Sequence, residues 1–500
     1  MKVRRWQLLF GLCAVCAQAD PAFDAFLEWL RGRGAAFGAK FSLGLDSVTG
    51  LRGVLAGEGI AKGTVIITLP KEVVLTSDQV QEEGVAWQQC AAGGPGEEAP
   101  EVLGPTHTAF ALFLLEQRAK GAEWQPWVSV LPKSFEGFPL FYTEEELAGL
   151  QTSPVRRVIE LDRNAVSIDF NVVSKKMPGL TLDEFRWART AVKSRVFGLK
   201  SLSGGTLKEE LIAMVPLADF VNHPPDGVVE PNVSPFYDVA TGSFRLTAVR
   251  DIKPNEGIYW DYGFKSNRNS LLRYGFASKK RIGLTDMPLF FKLTDFPVTG
   301  AKALKMAQTD AAQESGVLAM EKDGTVMHEL GLSLTGASAE RLFGHMRFMV
   351  YEPQNASVLS ELCESTYCHP IGLQNERQAM QHLVATLQAL IASYGTTPAE
   401  DSELVSQGEL ESAGGTAWHT LVVRFGEKQI LRGIVKLLQT VDALGDLSPV
   451  ALAKTVKERW SDPNSDIHKY VQENLTSMVE AEAARKGPRS ALAGIRERAR

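Results

Sequence analysis

The hydrophobic period of this chain changes repeatedly, and few folds tolerate the order in which it does so. Two β-rich runs, 54–56 and 64–69, lie among glycine turns in "GLRGVLAGEGIAKGTVIITLPKEVVLT" and predict a hairpin-like β unit. A helical period follows, from "THTAFALFLLEQRAKG" through the aromatic-rich "EWQPWVSVLPKSFEGFPLFYTEEELAGL" to "TLDEFRWARTAVKSRVF" at 181–197. Period two returns in "FYDVATGSFRLTAVRDI", two strands about Thr241-Gly242, and in "EGIYWDYG", which predicts a further strand. Everything after about residue 285 reads as helical, apart from "TTPAEDSELVSQGELESAGG", whose composition predicts an acidic exposed loop. Such a chain is a β module interrupted by helices and followed by a helical bundle.

Five hundred residues exceed one hydrophobic core, so several domains are expected. A net charge of −6 without a long basic run gives no nucleic-acid surface. The first 19 residues combine basic "MKVRR", apolar "WQLLFGLCAVC" and small "AQA", the pattern of a cleaved secretory leader. No later segment has the length and purity of a membrane span. Beyond the leader remain Cys90, Cys363 and Cys368, which make no disulfide framework, and "CESTYCH" lacks the second ligand pair of a zinc site. A local disulfide or buried free thiols are the readings left there. Sequons occur at Asn232, Asn355 and Asn474. Residues 86–104 predict a loop, and the last fifty end in a basic, alanine-rich tail, helical or disordered. Near the start, Phe23, Phe26, Leu27 and Leu30 fall on one face of a short amphipathic helix.

Polar side chains gather at the ends of apolar runs in "GLRGVLA" (50–56), "KSRVF" (193–197), "LADFVNH" (217–223) and "YWDYGFKSNRNSLLRYGF" (259–276). "DFVNH", then after a hairpin "YWDYGFKSN" and "RYGF", resembles the SET-domain methyltransferases of the Rubisco large-subunit lysine methyltransferase branch, whose pattern is D-x-x-N-H, Y-G-x-x-S-N, Y-G-F. The likeness runs in order from about 23 to 440. It implies an α+β fold: a β-rich SET domain interrupted by a helical insertion, followed by an all-helical C-terminal substrate-binding domain. The expected division is 1–19 leader, 20–104 first SET part, 105–190 insertion, 191–284 second SET part with the active site, 285–450 substrate binding and 451–500 tail.

The implied reaction moves a methyl group from S-adenosyl-L-methionine to a protein nitrogen. Its demands follow from chemistry alone. Lysine, with an ordinary pKa of about 10.4, must lose a proton at a cost of about 4 to 5 kcal/mol at pH 7, which a desolvated channel reduces. The amine must also meet the methyl in line. By the resemblance, Tyr262 is the catalytic tyrosine, and Asn222, His223, Arg195 and Tyr274 hold the cofactor. Asp219, Tyr237 and Phe197 line the target's path. An apolar ring at Phe197 suits the aliphatic stem of lysine, where the histidine-directed branch has a polar amide.

Two departures from the branch concern the cofactor side: Leu51 replaces a glycine of E-G-x-G, and Asn255 a glycine before Glu256. The reading is thus a protein-lysine N-methyltransferase acting as a monomer on a lysine-containing, non-histone protein, without metal, nucleic acid or membrane. A protein-histidine methyltransferase and a non-catalytic SET-fold scaffold are the alternatives. The leader is compatible with the secretory pathway or a plastid reached through it; the family also includes cytosolic enzymes.

Overall fold

The computed structural model describes residues 21–83, 105–121, 123–208, 210–263, 265–283, 286–292, 325–352, 356–364 and 367–485. The leader, the 86–104 segment, the Asn355 sequon and the end of the tail lie outside them. The chain clusters into two units. One draws on residues up to 88, 106–134 and 183–263; the other holds 135–182 and 264 onward. The helical stretch between the two β halves is therefore divided between them.

In the first unit, the helix Pro21–Gly32 buries Phe23, Phe26, Leu27 and Leu30 as its spacing predicts. Burying such side chains contributes about 2 kcal/mol each. Three sheets follow. β1 (Ala36–Phe37), β4 (Val65–Leu69), β8 (Val233–Asp238) and β9 (Ser243–Ala248) form one in the order β1-β4-β9-β8. β2 (Phe41–Leu45) pairs with β3 (Arg52–Ala56), and β5 (Leu75–Thr76), β6 (Val196–Gly198) and β7 (Ile212–Met214) form the third in the order β5-β7-β6. The 233–248 hairpin forms as expected, with Gly242 at φ +66° closing the turn.

Two strand expectations are corrected. The 54–56 and 64–69 runs do not pair with each other: β3 bonds to β2, and β4 lies between β1 and β9. "EGIYWDYG" forms no ladder. Its peptides bond to three separate segments, Ile258 N–H to Val54 O at 2.8 Å, Val233 N–H to Tyr259 O at 3.1 Å and Trp260 N–H to Asn222 O at 3.0 Å. Because pairing with each neighbour stops at a single bridge, the segment is fastened like a strand without repeating as one.

The second unit is built on the helices Pro154–Val173, Ala337–Val350, Leu373–Ser393, Pro398–Gln407 and Gly415–Leu444. It is not all helical. β10 (Met287–Lys292) and β11 (Thr325–Leu330) form an antiparallel pair in which Met287, Leu289 and Phe291 alternate into the core. β12 (Cys363–Glu364) and β13 (Tyr367–Cys368) are stapled by a Cys363–Cys368 disulfide. The expected acidic loop is also helical. Thr397 and Glu400 close a capping box, Pro398 takes the first turn, and Asp401 is buried against Arg424 and Lys428. The sequence "TEEEL" caps in the same way at Thr143 and Glu146, as expected. No described helix is long and apolar enough to cross a membrane.

Candidate active site

The run 215–221 is neither strand nor helix. After β7 the chain breaks at Leu217, whose φ +77° and ψ −47° lie near the rare γ-turn region, and a single 3₁₀ turn, Ala218–Phe220, follows. A buried leucine held there costs of order 1 kcal/mol and persists because its surroundings over-determine it. The turn directs Asp219 inward and brings Val221, Asn222 and His223 alongside the 257–262 segment.

There the backbone and side chains interlock. Tyr262 donates its hydroxyl to Val221 O at 2.9 Å, and its N–H reaches His223 Nδ1 at 3.3 Å. That contact leaves the imidazole proton on Nε2, which faces Asp226 at 3.6 Å. Asn222 donates its amide to Arg52 O at 3.3 Å. Gly53 is required beside it, since a Cβ at 53 would come within 2.5 Å of Asn222 Nδ2. Trp260 stands behind Tyr262, edge-on at 6.2 Å between ring centroids, and stacks on Phe197 at 4.7 Å and Phe244 at 6.1 Å. Tyr237 is the cross-strand partner of Phe244, with its phenol pushed up by burial and by Asp238 and Asp78.

Arg195 ends the helix Leu182–Arg195 and donates Nη1 to the carbonyl of Asp219, with the Asp219 carboxylate 3.7 Å away. Its guanidinium lies over the Phe220 ring at 5.0 Å, with Nε unpartnered among the described residues. Asp219 is inaccessible to solvent on its side chain, and Trp127 Nε1 donates to its Oδ2 at 3.2 Å. Burial pushes the Asp219 carboxyl up to about 6, against the pull of Arg195 and Trp127.

The turn between β2 and β3 is tied to the same segment. Asp46 accepts the Tyr259 hydroxyl at 2.5 Å and the Thr49 hydroxyl at 2.6 Å. Burial alone would raise its carboxyl, but the hydrogen bonds prevail and hold it below the ordinary value. Asn232 spans Tyr259 N–H at 2.7 Å and Gly257 O at 2.7 Å, so this sequon asparagine is fully buried and committed to the fold.

Of the eight residues the sequence singled out, Arg195, Phe197, Asp219, Asn222, His223, Tyr237 and Tyr262 fall in the first unit. Tyr274 closes the helix Asn267–Tyr274 of the second, where burial pushes its phenol up. Trp127, Trp260, Arg52 and Asp46 escaped the sequence reading. Only the aromatic richness of "EWQPWVSV" and the position of Trp260 in "YWDYG" hinted at two of them. Both family departures are accommodated by the backbone: Gly50 takes the positive φ of +67° beside an exposed Leu51, and Asn255 adopts φ +64°, a conformation asparagine tolerates.

A SET-domain profile matches residues 51–263, and a Rubisco LSMT substrate-binding profile matches 304–431. Among curated proteins, the chain is 25% identical to the chloroplastic [fructose-bisphosphate aldolase]-lysine N-methyltransferase of Arabidopsis thaliana, over 83% of this chain and 82% of that protein. It is 24% identical to the chloroplastic ribulose-1,5 bisphosphate carboxylase/oxygenase large subunit N-methyltransferase of Pisum sativum (83% and 81%), and 23% to the actin-histidine N-methyltransferase of Gallus gallus (87% and 71%). Among solved structures, the SET domain of LSMT bound to lysine and AdoHcy superposes with a TM-score of 0.62 at 22% identity, covering 85% of this chain and 92% of that one. Rubisco LSMT bound to AdoMet gives 0.61 at 22%, with 90% and 99% covered. The chain thus belongs to the SET-domain family in the branch that joins the SET domain to a Rubisco LSMT substrate-binding domain.

Proposed function

We propose that this chain is a protein-lysine N-methyltransferase that uses S-adenosylmethionine. The observation that carries the reading is the knot at Val221–His223 and Tyr262. A tyrosine hydroxyl is fixed on a carbonyl beside an Asn-His pair and walled by Trp260 and Phe197.

The residues present fit the cofactor. Arg195, with an unpartnered buried Nε, suits its carboxylate, and the side chain of Asn222 and the bare backbone at Gly53 suit a close polar approach. When bound, S-adenosylmethionine supplies an electrophilic methyl on a sulfonium. The chain's own groups do the rest. Tyr262 and the carbonyls around it orient the target N–H groups, and Phe197 and Trp260 exclude water, which lowers the cost of holding the amine uncharged. His223 anchors the Tyr262 peptide, and Tyr237 and Tyr274 complete the reading as channel and cofactor residues. Asp219, which the resemblance placed along the target's path, has a side chain closed to solvent and acts through Arg195 instead.

Lysine is favoured over histidine by Phe197, which offers an apolar face and no hydrogen-bond partner to an imidazole. The actin-histidine relatives define the competing outcome. Incubation with labelled S-adenosylmethionine and purified aldolase, Rubisco or actin, followed by mass spectrometry of the modified residue, decides it. We expect label on lysine, lost in Tyr262→Phe. Label on histidine overturns the specificity, and cofactor binding without transfer to any protein of the source cell establishes a scaffold. The chloroplastic names of the plant relatives support a plastid location with residues 1–19 as the address. A cytosolic signal from the tagged full chain overturns it.

A further inference from the structure

The helix Gln125–Val130 carries none of the site residues the sequence singled out, yet it touches the site twice. Trp127, with none of its surface exposed, donates Nε1 to Asp219 Oδ2 at 3.2 Å, and Val130 O accepts from Arg52 Nη1 at 2.8 Å. A buried tryptophan usually finds a partner for its N–H, but here that partner is a carboxylate 92 residues away in sequence. Asp219 in turn offers both its carbonyl and its carboxylate to Arg195. The remaining carboxylate oxygen, Oδ1, has no partner among the described residues.

We propose that Trp127 is a positioning residue for the methyl-donor grip: its indole N–H fixes the Asp219 carboxylate, and that carboxylate holds the Arg195 guanidinium at the end of its helix. The proposal rests on the reading that Arg195 takes the cofactor's carboxylate. A guanidinium buried as this one is pays for its lost hydration unless an anion faces it. Besides Asp219, the charged or titratable groups facing Arg195 are Arg52, which repels it, and the Tyr262 phenol. Asp219 is the one carboxylate among them. Protonating it removes the anchor, and Arg195 then loses the orientation in which it meets a carboxylate. Asp219 titrates at about 6, and the Trp127 N–H stabilises its charged form. Removing that donor raises the carboxyl further, so the loss begins at higher pH.

Isothermal titration of S-adenosylmethionine into the full chain between pH 5.5 and 8 tests this. In the wild type, affinity falls as pH drops through about 6. Trp127→Phe shifts that fall upward by about one pH unit, weakening binding about threefold at pH 6.5 and less than about twofold at pH 8. Trp124→Phe, which disturbs the same aromatic cluster without touching Asp219, leaves the midpoint in place. Asp219→Asn binds weakly at every pH in this window. The same midpoint is read without ligand, as a change in tryptophan fluorescence that Trp127→Phe and Asp219→Asn abolish. Equal profiles for Trp127→Phe and Trp124→Phe, or wild-type binding that is flat across the range, overturn the proposal. If the wild type binds no S-adenosylmethionine, the functional reading fails by itself, and persistence of the ligand-free transition in Asp219→Asn still overturns the coupling of Trp127 to Asp219.

Discussion

Single residues here act through spaces a side chain either fills or must leave empty. Gly53 leaves one: a methyl at 53 meets the Asn222 amide within 2.5 Å, and that amide is held by Arg52 O. Gly53→Ala therefore displaces Asn222. We expect a loss of about 1 to 3 kcal/mol in urea unfolding and weaker S-adenosylmethionine binding by calorimetry. Unchanged affinity would remove Asn222 from the proposed cofactor grip. Asn255 is the opposite case, a side chain tolerated where glycine is the easier choice. Its φ of +64° makes Asn255→Ala cost about 1 kcal/mol by thermal unfolding, whereas Asn255→Gly leaves stability near the wild type. At this scale the sequence was legible where polar residues sit together in the chain. His223 and Tyr262 do meet, and Asn222, next in the chain to His223, takes the Trp260 N–H on its carbonyl. Trp127 and Asp46 were not legible, because their partners lie 92 and 213 residues away and nothing local marks a tryptophan or an aspartate as a partner.

Elements show where local chemistry and composition disagree. The stretch 396–415 looks like a loop because acids and glycines crowd it, yet Thr397-Pro398 with Glu400 is the same capping signal that starts the helix at Glu144. Capping chemistry prevailed over composition because Asp401, one turn in, has two buried cations to meet. Arg424 reaches it at 3.0 Å and Lys428 at 2.7 Å. Burial would raise the Asp401 carboxyl, but these partners and Thr396 hold it below its ordinary value. Asp401→Ala leaves both cations uncompensated in the interior, and we expect it to cost about 3 to 5 kcal/mol in urea unfolding, against about 1 kcal/mol for Thr397→Ala. A loss no larger than that of the cap variant would mean the two cations find other partners. "EGIYWDYG" is the converse: its alternation is real, but alternation reports which faces are buried, not whether one neighbour repeats. Here three different neighbours are bridged between residues 257 and 260.

For the whole molecule, pH acts through buried groups of opposite sign. Glu427, bonded to Ser153 and Tyr394, is raised by burial to about 7, and Asp219 is raised to about 6. An acid whose folded pKa exceeds its unfolded one binds its proton more tightly when folded. Its contribution is complete at low pH and is lost as pH rises from about 4 toward the folded value. His328, buried between His345 and Phe291, titrates well below its ordinary value because of burial and then of His345 and Arg341. Its sign is reversed: the unfolded chain takes up the proton, so stability falls as pH drops below about 6.5. The two effects oppose each other over one window, and the wild-type curve shows only their difference. Substitution separates them. Glu427→Gln removes the penalty on the alkaline side and raises the melting temperature at pH 8 more than at pH 5. His328→Phe removes the penalty on the acid side and flattens the fall between pH 6.5 and 5. Calorimetric melting of the two variants at pH 5, 6.5 and 8 is the measurement, and parallel displacement of all three temperatures in either variant would show that the residue acts by packing alone.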